Sequence, residues 1–151
     1  METREIFYEE FNVGDKREGA SRTITETDVV FHAGHTGDFY PHHLDAEFCK
    51  DTPFGQRIAH GTMTFAIGVG LQSGDINPRA FSYGYDRLRF ISPVFIGDTI
   101  HASVTIADKR ENPKKPNMGF VVEKLEITNQ RNQLVLVCEH ILSVEKKSVE
   151  A

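Results

Sequence analysis

From Thr99 to Ala107 apolar and polar residues alternate without a break. Ile100, Ala102, Val104 and Ile106 fall on one side, and Thr99, His101, Ser103 and Thr105 on the other. A period of two marks a strand with one buried face. Three more strands are expected, over 79–91, 119–128 and 133–144. The links between them run from Pro93 to Asp98, from Asn112 to Asn117 and from Asn129 to Asn132. They are too short to hold crossover helices, so the sheet is expected to be antiparallel. The first half of the chain has a different rhythm. Thr25-Glu26-Thr27-Asp28 resembles a capping box with Asp as the reciprocal acid, and it should open a helix over about 26–35. That helix would place Val29, Val30 and Ala33 on or near one face, with Gly34 and Gly37 bracketing its end. Asp45 is a suitable N-cap for a short helix over 46–51, which Pro53-Phe54-Gly55 stops.

Residues 62–72 (TMTFAIGVGLQ) show no clear polar stripe apart from Thr64, so they predict a helix buried on most sides. A buried strand would read similarly, but the length favours helix. Gly68 and Gly70 each cost about 1 kcal/mol against Ala in a helix. Close approach of a backbone or a ligand would explain them. Residues 1–16 read as an irregular lead-in with a turn at Asn12 to Asp15. Residues 17–25 read as a strand, and the polar tail EKKSVEA is expected to fray. The whole is an α+β layout: one domain over 1–151, with an antiparallel sheet burying a face against a long apolar helix.

Composition narrows the function. A chain of 151 residues with 39% hydrophobic content and eleven Phe can build a core of its own. A net charge of -5 argues against a general nucleic-acid footprint. Cys49 and Cys138 have neither metal-type spacing nor the density of a disulfide scaffold. The start METREIFYEEF lacks an apolar h-region, and no uncharged run approaches the ~18–20 residues of a membrane span. A cytoplasmic protein with no membrane partner is therefore expected.

The candidate chemistry lies between Gly37 and Leu71. Asp38 and His43 sit five positions apart with Pro41 between them. Pro41 fixes its own φ and biases Tyr40 toward extended geometry, so a regular helix across Asp38 to His43 is not expected. A bent loop can aim both side chains at one point. As residues alone, Asp38 also fits a turn and His43 a loop histidine bonded to backbone. Histidines at 35, 42, 43 and 60, with Asp38 and Asp45, raise the question of a metal. Adjacent His42 and His43 cannot easily ligate one ion together, and no i, i+4 His pair is present, so no metal is expected.

The stretch GDFYPHHLD, followed by PFGQRIAHGTM, resembles the hydratase signature of MaoC-like (R)-specific enoyl-CoA hydratases. FISPVFIGDTI (90–100) resembles the strand-turn-strand of the same family. The resemblance covers about 10–145. It implies a single hot-dog fold, a sheet wrapped around a long central helix, with Asp38 and His43 as the catalytic pair. It also implies that Gly61 and Thr62 supply N–H groups for the thioester carbonyl. Tyr40, His60, Met63 and Val69 would line the substrate pocket, with His60 chiefly orienting the loop. Arg87, Arg89, Lys114 and Lys115 are candidates for coenzyme A phosphates. Tyr40 stands where the family usually has Asn, His42 where it has an apolar residue, and Val69 where some members carry Ser.

The implied reaction is reversible hydration of trans-2-enoyl-CoA to (R)-3-hydroxyacyl-CoA, with no cofactor beyond the coenzyme A of the substrate, in a homodimer or higher oligomer. Adding water to that double bond needs a base for the water, a proton for the α-carbon and donors for the enolate oxygen. An Asp/His pair and a helix N-terminus can supply all three. Two rivals share the fold: an acyl-CoA thioesterase, and a non-catalytic acyl-CoA-binding subunit.

Overall fold

The structure is a computed structural model and describes residues 2–74 and 76–147. Its elements are β1 (Lys16–Thr23), α1 (Glu26–Thr36), α2 (Pro41–Leu44), α3 (Ala46–Lys50), α4 (Gly61–Leu71), β2 (Ala80–Phe90), β3 (Thr99–Glu111), β4 (Met118–Thr128) and β5 (Leu134–Glu145). The strands form one five-stranded sheet in the order β1-β3-β4-β5-β2. Every neighbouring pair is antiparallel, as the short links require for β3–β4 and β4–β5; β1 joins β3 and β2 joins β5 across longer connections. The sheet curves around α4, which is the hot-dog arrangement. Part of the tail whose fraying was expected, 148–151, lies outside the described residues.

The alternation in β3 does what its period implies. Ile100, Ala102 and Val104 are buried, and they meet Leu125, Ile127, Leu136 and Cys138 from β4 and β5 and Met63 from α4. The capping box of α1 forms, with Thr25 Oγ1 accepting from the Asp28 N–H and Asp28 accepting from the Thr25 N–H. Gly37 closes α1 at φ +80°, a left-handed cap that favours glycine. Val30 departs from expectation and is exposed, because α1 buries the narrow i, i+4 stripe of Val29 and Ala33.

In α4 the expected polar position is reversed. Thr64 is buried and donates its hydroxyl to the His60 carbonyl at 3.1 Å. The outer stripe is Thr62, Ala66 and Gly70, at helical spacing. Small side chains hide that stripe from a hydropathy reading. The two glycines divide. A Cβ on Gly68 would overlap Ile127 Cδ1, whereas Gly70 faces open space. The close approach is therefore to a side chain of β4.

The lead-in is packed down by its aromatic side chains. A 3₁₀ turn at Tyr8–Glu10 lays the Tyr8 ring over Gly119. With Phe11 it covers a second apolar cluster of Ile106, Val121 and Val144. Buried Glu123 accepts from Arg17 at 2.6 Å and pairs with His140 Nδ1 at 3.3 Å. Burial alone would raise the Glu123 carboxyl, but the bonds from His140 and Arg17 outweigh it and hold the group below its ordinary range.

Seating α4 against Ile127 yields a stability test. Gly68→Ala should lower the urea unfolding free energy by about 1–3 kcal/mol through overpacking. Ile127→Val removes the methyl that the new Cβ would strike, so the double variant should recover part of that loss. Additive losses would show that the contact does not seat the helix.

Candidate active site

The loop after α1 turns at once, with the Phe39 N–H donating to the Gly37 carbonyl at 3.1 Å. Asp38 Oδ1 accepts from the Tyr40 N–H at 3.3 Å, an Asx-type turn. Pro41 then begins α2, a single helical turn that ends at Leu44. This modifies the sequence reading: a proline at the first helical position gives up a donor the helix does not use. His43 leaves this turn toward the chain before α4. Its Nδ1 lies 2.7 Å from the Ile58 carbonyl. A carbonyl only accepts, so the proton is on Nδ1, and Nε2 of the neutral ring offers a lone pair. Arg57 fastens the same turn, with Nε donating to the His43 carbonyl at 2.6 Å and a guanidinium nitrogen bridging both Glu26 oxygens at 2.9 Å.

Asp38, His43 and His60 each bring a polar side-chain atom within 4.8 Å of the others. The His43 and His60 rings stack with centroids 3.8 Å apart and planes 24° from parallel. Lone pairs of stacked rings run along near-parallel planes and do not converge on one ion, so the arrangement suits proton transfer better than metal ligation. His60 is 1% exposed, its Nε2 donates to the Asp38 carbonyl at 2.9 Å, and its Nδ1 is buried without a partner. One imidazole thus carries the Asp38 backbone and supports the His43 ring. Burial pushes the pKa of His43 down. The Ile58 bond and Asp38 pull it up, and His60 and His42 add to the fall, leaving it below its ordinary value.

His60 is also the N-cap of α4. The first N–H groups of a helix have no partner within it, and those at Gly61 and Thr62 lie next to His43 in the chain's path. A Cβ on Gly61 would stand 2.8 Å from the Phe90 ring, so glycine here lets that ring close over the helix end. A cavity of about 300 Å³ opens at this point, lined by His43, Gly61, Thr64, Phe90, Val94 and Val135 among others. It offers an apolar recess with a base at its rim and amide donors at the helix end.

The predicted residues divide between those the fold gathers and those it does not. Asp38, His43, His60 and Gly61 come together. Thr62 is at the helix start, with its hydroxyl turned to His32 Nε2 at 3.0 Å. Tyr40 does not line the cavity. It is exposed and stacks on His42 at 4.9 Å, so the two residues that depart from the family pattern pack on each other. Met63 is buried and lines a separate recess beside α1. Val69 packs into the core about 12 Å along α4 from Gly61. Arg87 pairs with Glu139 at 2.8 Å, while Arg89 adjoins Phe90 and donates to the Leu88 carbonyl. Lys114 and Lys115 lie in the β3–β4 link, at the sheet end where Met118 pairs with Glu145. Phe90 pairs with Leu136, about 30 Å away along β5, so these lysines are remote from this chain's cavity. Sequence reasoning missed Arg57, Phe90 and His32. Their contacts span 14 residues for Arg57 to His43 and 30 for His32 to Thr62, and no local pattern encodes such pairings.

Known proteins resemble this chain in sequence and fold. A model of the MaoC-like domain matches residues 10–129. The 3-hydroxybutyryl-CoA dehydratase of Methylorubrum extorquens is 36% identical over 146 residues, covering 97% of this chain and 88% of its own length. Protein MaoC of Klebsiella aerogenes is 36% identical over 104 residues, and the match spans about a third of that longer protein (31%). Among solved structures, the monoamine oxidase regulatory protein of Archaeoglobus superposes with a TM-score of 0.91 at 37% identity, covering 98% of this chain and 100% of that one. The unliganded R-hydratase of Pseudomonas aeruginosa superposes at 0.75 with 31% identity, covering 97% and 92%. No helix among the described residues is long and apolar enough to cross a membrane.

The lowered His43 pKa sets a pH dependence. A base that takes up its proton only below the ordinary histidine value of ~6.5 stays neutral at pH 7. Titration of His43 followed by NMR should therefore show a midpoint under that value. A midpoint above it would mean that Asp38 governs the ring more than burial does.

Proposed function

Because this chain belongs to the MaoC-like domain family, we propose that it adds water reversibly to trans-2-enoyl-CoA thioesters, giving (R)-3-hydroxyacyl-CoA. The observation that carries this reading is the placement of Asp38 and His43 at the N-terminus of α4, beside an apolar recess. The thioester carbonyl would sit against the amides at Gly61 and Thr62, where negative charge grows as the enolate forms. The acyl group would enter the recess under Phe90. His43 Nε2 and the Asp38 carboxylate would hold one water between them. As the water oxygen bonds to the β-carbon, its proton passes to this pair. The pair then returns a proton to the α-carbon as the enolate collapses, so one water is added and the enzyme is restored. This chemistry uses no cofactor apart from the coenzyme A that the substrate carries. The (R) product and the acyl-CoA class are those of the relatives and of the signature residues.

Two refinements belong to the same proposal. Arg89 is the predicted cation best placed for a coenzyme A phosphate, since it adjoins Phe90, whereas Arg87 is engaged with Glu139. The working unit is a homodimer joined along β2. That strand is a sheet edge, and Phe81, Tyr83 and Phe90 on it are 61%, 69% and 56% exposed, an apolar edge suited to pairing with a second copy.

Asp38→Asn and His43→Gln should each reduce turnover of a short enoyl-CoA by ~10²–10⁴-fold, read as slower loss of enoyl absorbance with circular dichroism unchanged. Near-normal rates in either folded variant would remove the pair from the mechanism. Light scattering should give twice the 17.0 kDa chain mass, and a fully active monomer would contradict the shared edge.

A further inference from the structure

His32 has no part in the signature from Gly37 onward, yet the fold brings it to the catalytic end of α4. It lies on α1 and its Nε2 is 3.0 Å from Thr62 Oγ1. Its ring is 4.8 Å from that of His60, which stacks in turn on His43 at 3.8 Å. The row His32–His60–His43 therefore leads from α1 across the N-terminus of α4 to the base. We propose that His32 is a positioning residue of the active site. It pins the first turn of α4 through Thr62 and is coupled to His43 through its place in the imidazole row. This rests on the hydratase reading for the purpose of the row, though not for its existence.

Two physical effects support the assignment. The donors expected at the thioester oxygen belong to Gly61 and Thr62, so a side chain that fixes Thr62 fixes their direction. Errors of about 1 Å in such positioning can cost ~10²-fold. The second effect is electrostatic. Imidazoles this close cannot all hold protons, and each protonated ring disfavours the next. The charged and titratable groups facing His32 are His35 on its own helix, Asp38 on the following loop, His43 on α2 and His60 before α4. Arg22 and Asp28 line the adjoining recess and are paired with each other. Burial pushes the His32 pKa down, with Asp38 opposing and His35 and His43 reinforcing the fall. Protonation of His43 thus opposes protonation of His32.

The test separates the two effects with a pair of variants. Gln at 32 can still bond Thr62 but carries no charge, whereas Leu does neither. His32→Leu should lower kcat by roughly tenfold with little change in KM, and His32→Gln should restore it to within about threefold. In His43→Gln the NMR titration midpoint of His32 should move up, because a neighbouring positive charge has gone. Equal losses of kcat in both variants, an unaltered kcat in His32→Leu, or an unmoved His32 midpoint in His43→Gln would each overturn the proposal. The midpoint needs no turnover. If it moved as expected while the wild-type protein hydrated no enoyl thioester, the positioning role would stand and the hydratase reading would fall.

Discussion

The structure depends on how closely α4 can lie in the trough of the sheet. A side chain at Gly68 would strike Ile127, and one at Gly19 would strike the Leu71 carbonyl, so β1 and β4 fix the helix from two sides. With its axis set, the N-terminal end of α4 emerges beside Phe90 and Val135, at the mouth of the cavity. That end carries unpaired amides and the positive pole of the helix dipole. The catalytic loop is then fastened to this fixed point. His60, the cap of the helix, bonds the Asp38 carbonyl, and Ile58, two residues before the cap, bonds His43. Both candidate catalytic groups are thus referred to the helix that would bind the substrate oxygen.

Much of this was legible in the sequence, because its causes are local. The period of two marked the strands, Thr25 and Gly37 bounded α1, and the short links forced antiparallel pairing of β3 with β4 and β4 with β5. The site was legible for a different reason. Asp38, Pro41, His43 and Gly61 lie within one stretch, and their residue types match a known signature. What stayed hidden depends on partners distant in sequence. Nothing local says that Arg57 will hold the His43 carbonyl, that Phe90 will lie on Gly61, or that Tyr8 will cover Gly119. The exposed stripe of α4 was missed because Ala66 and Gly70 are small rather than polar and leave Thr62 as its one polar member. Met63 and Val69 were placed near the site by the family resemblance, but helical rotation turns one into another recess and helical rise carries the other into the core.

Tyr40 and His42 now bear a joint interpretation. Their rings stack on each other, and His42 also meets Phe48 and Phe54 edge-on. The family positions are usually a short amide and an apolar side chain. Here an aromatic group at one site is matched by a ring at the other, and both lie outside the cavity lining. The pair rebuilds the outer wall of the loop while leaving Asp38 and His43 in reach of each other.

The central claim is that Asp38, His43 and the end of α4 act together on one water and one conjugated thioester. The most direct measurement is mass spectrometry of the product formed from a short trans-2-enoyl-CoA in water enriched in both oxygen-18 and deuterium. The account predicts an intact 3-hydroxyacyl-CoA that carries one heavy oxygen at the β-carbon and one deuterium at the α-carbon. Free coenzyme A with a labelled carboxylic acid would show attack at the carbonyl carbon instead. Unlabelled enoyl-CoA recovered from bound protein would show a site that binds its ligand without turning it over.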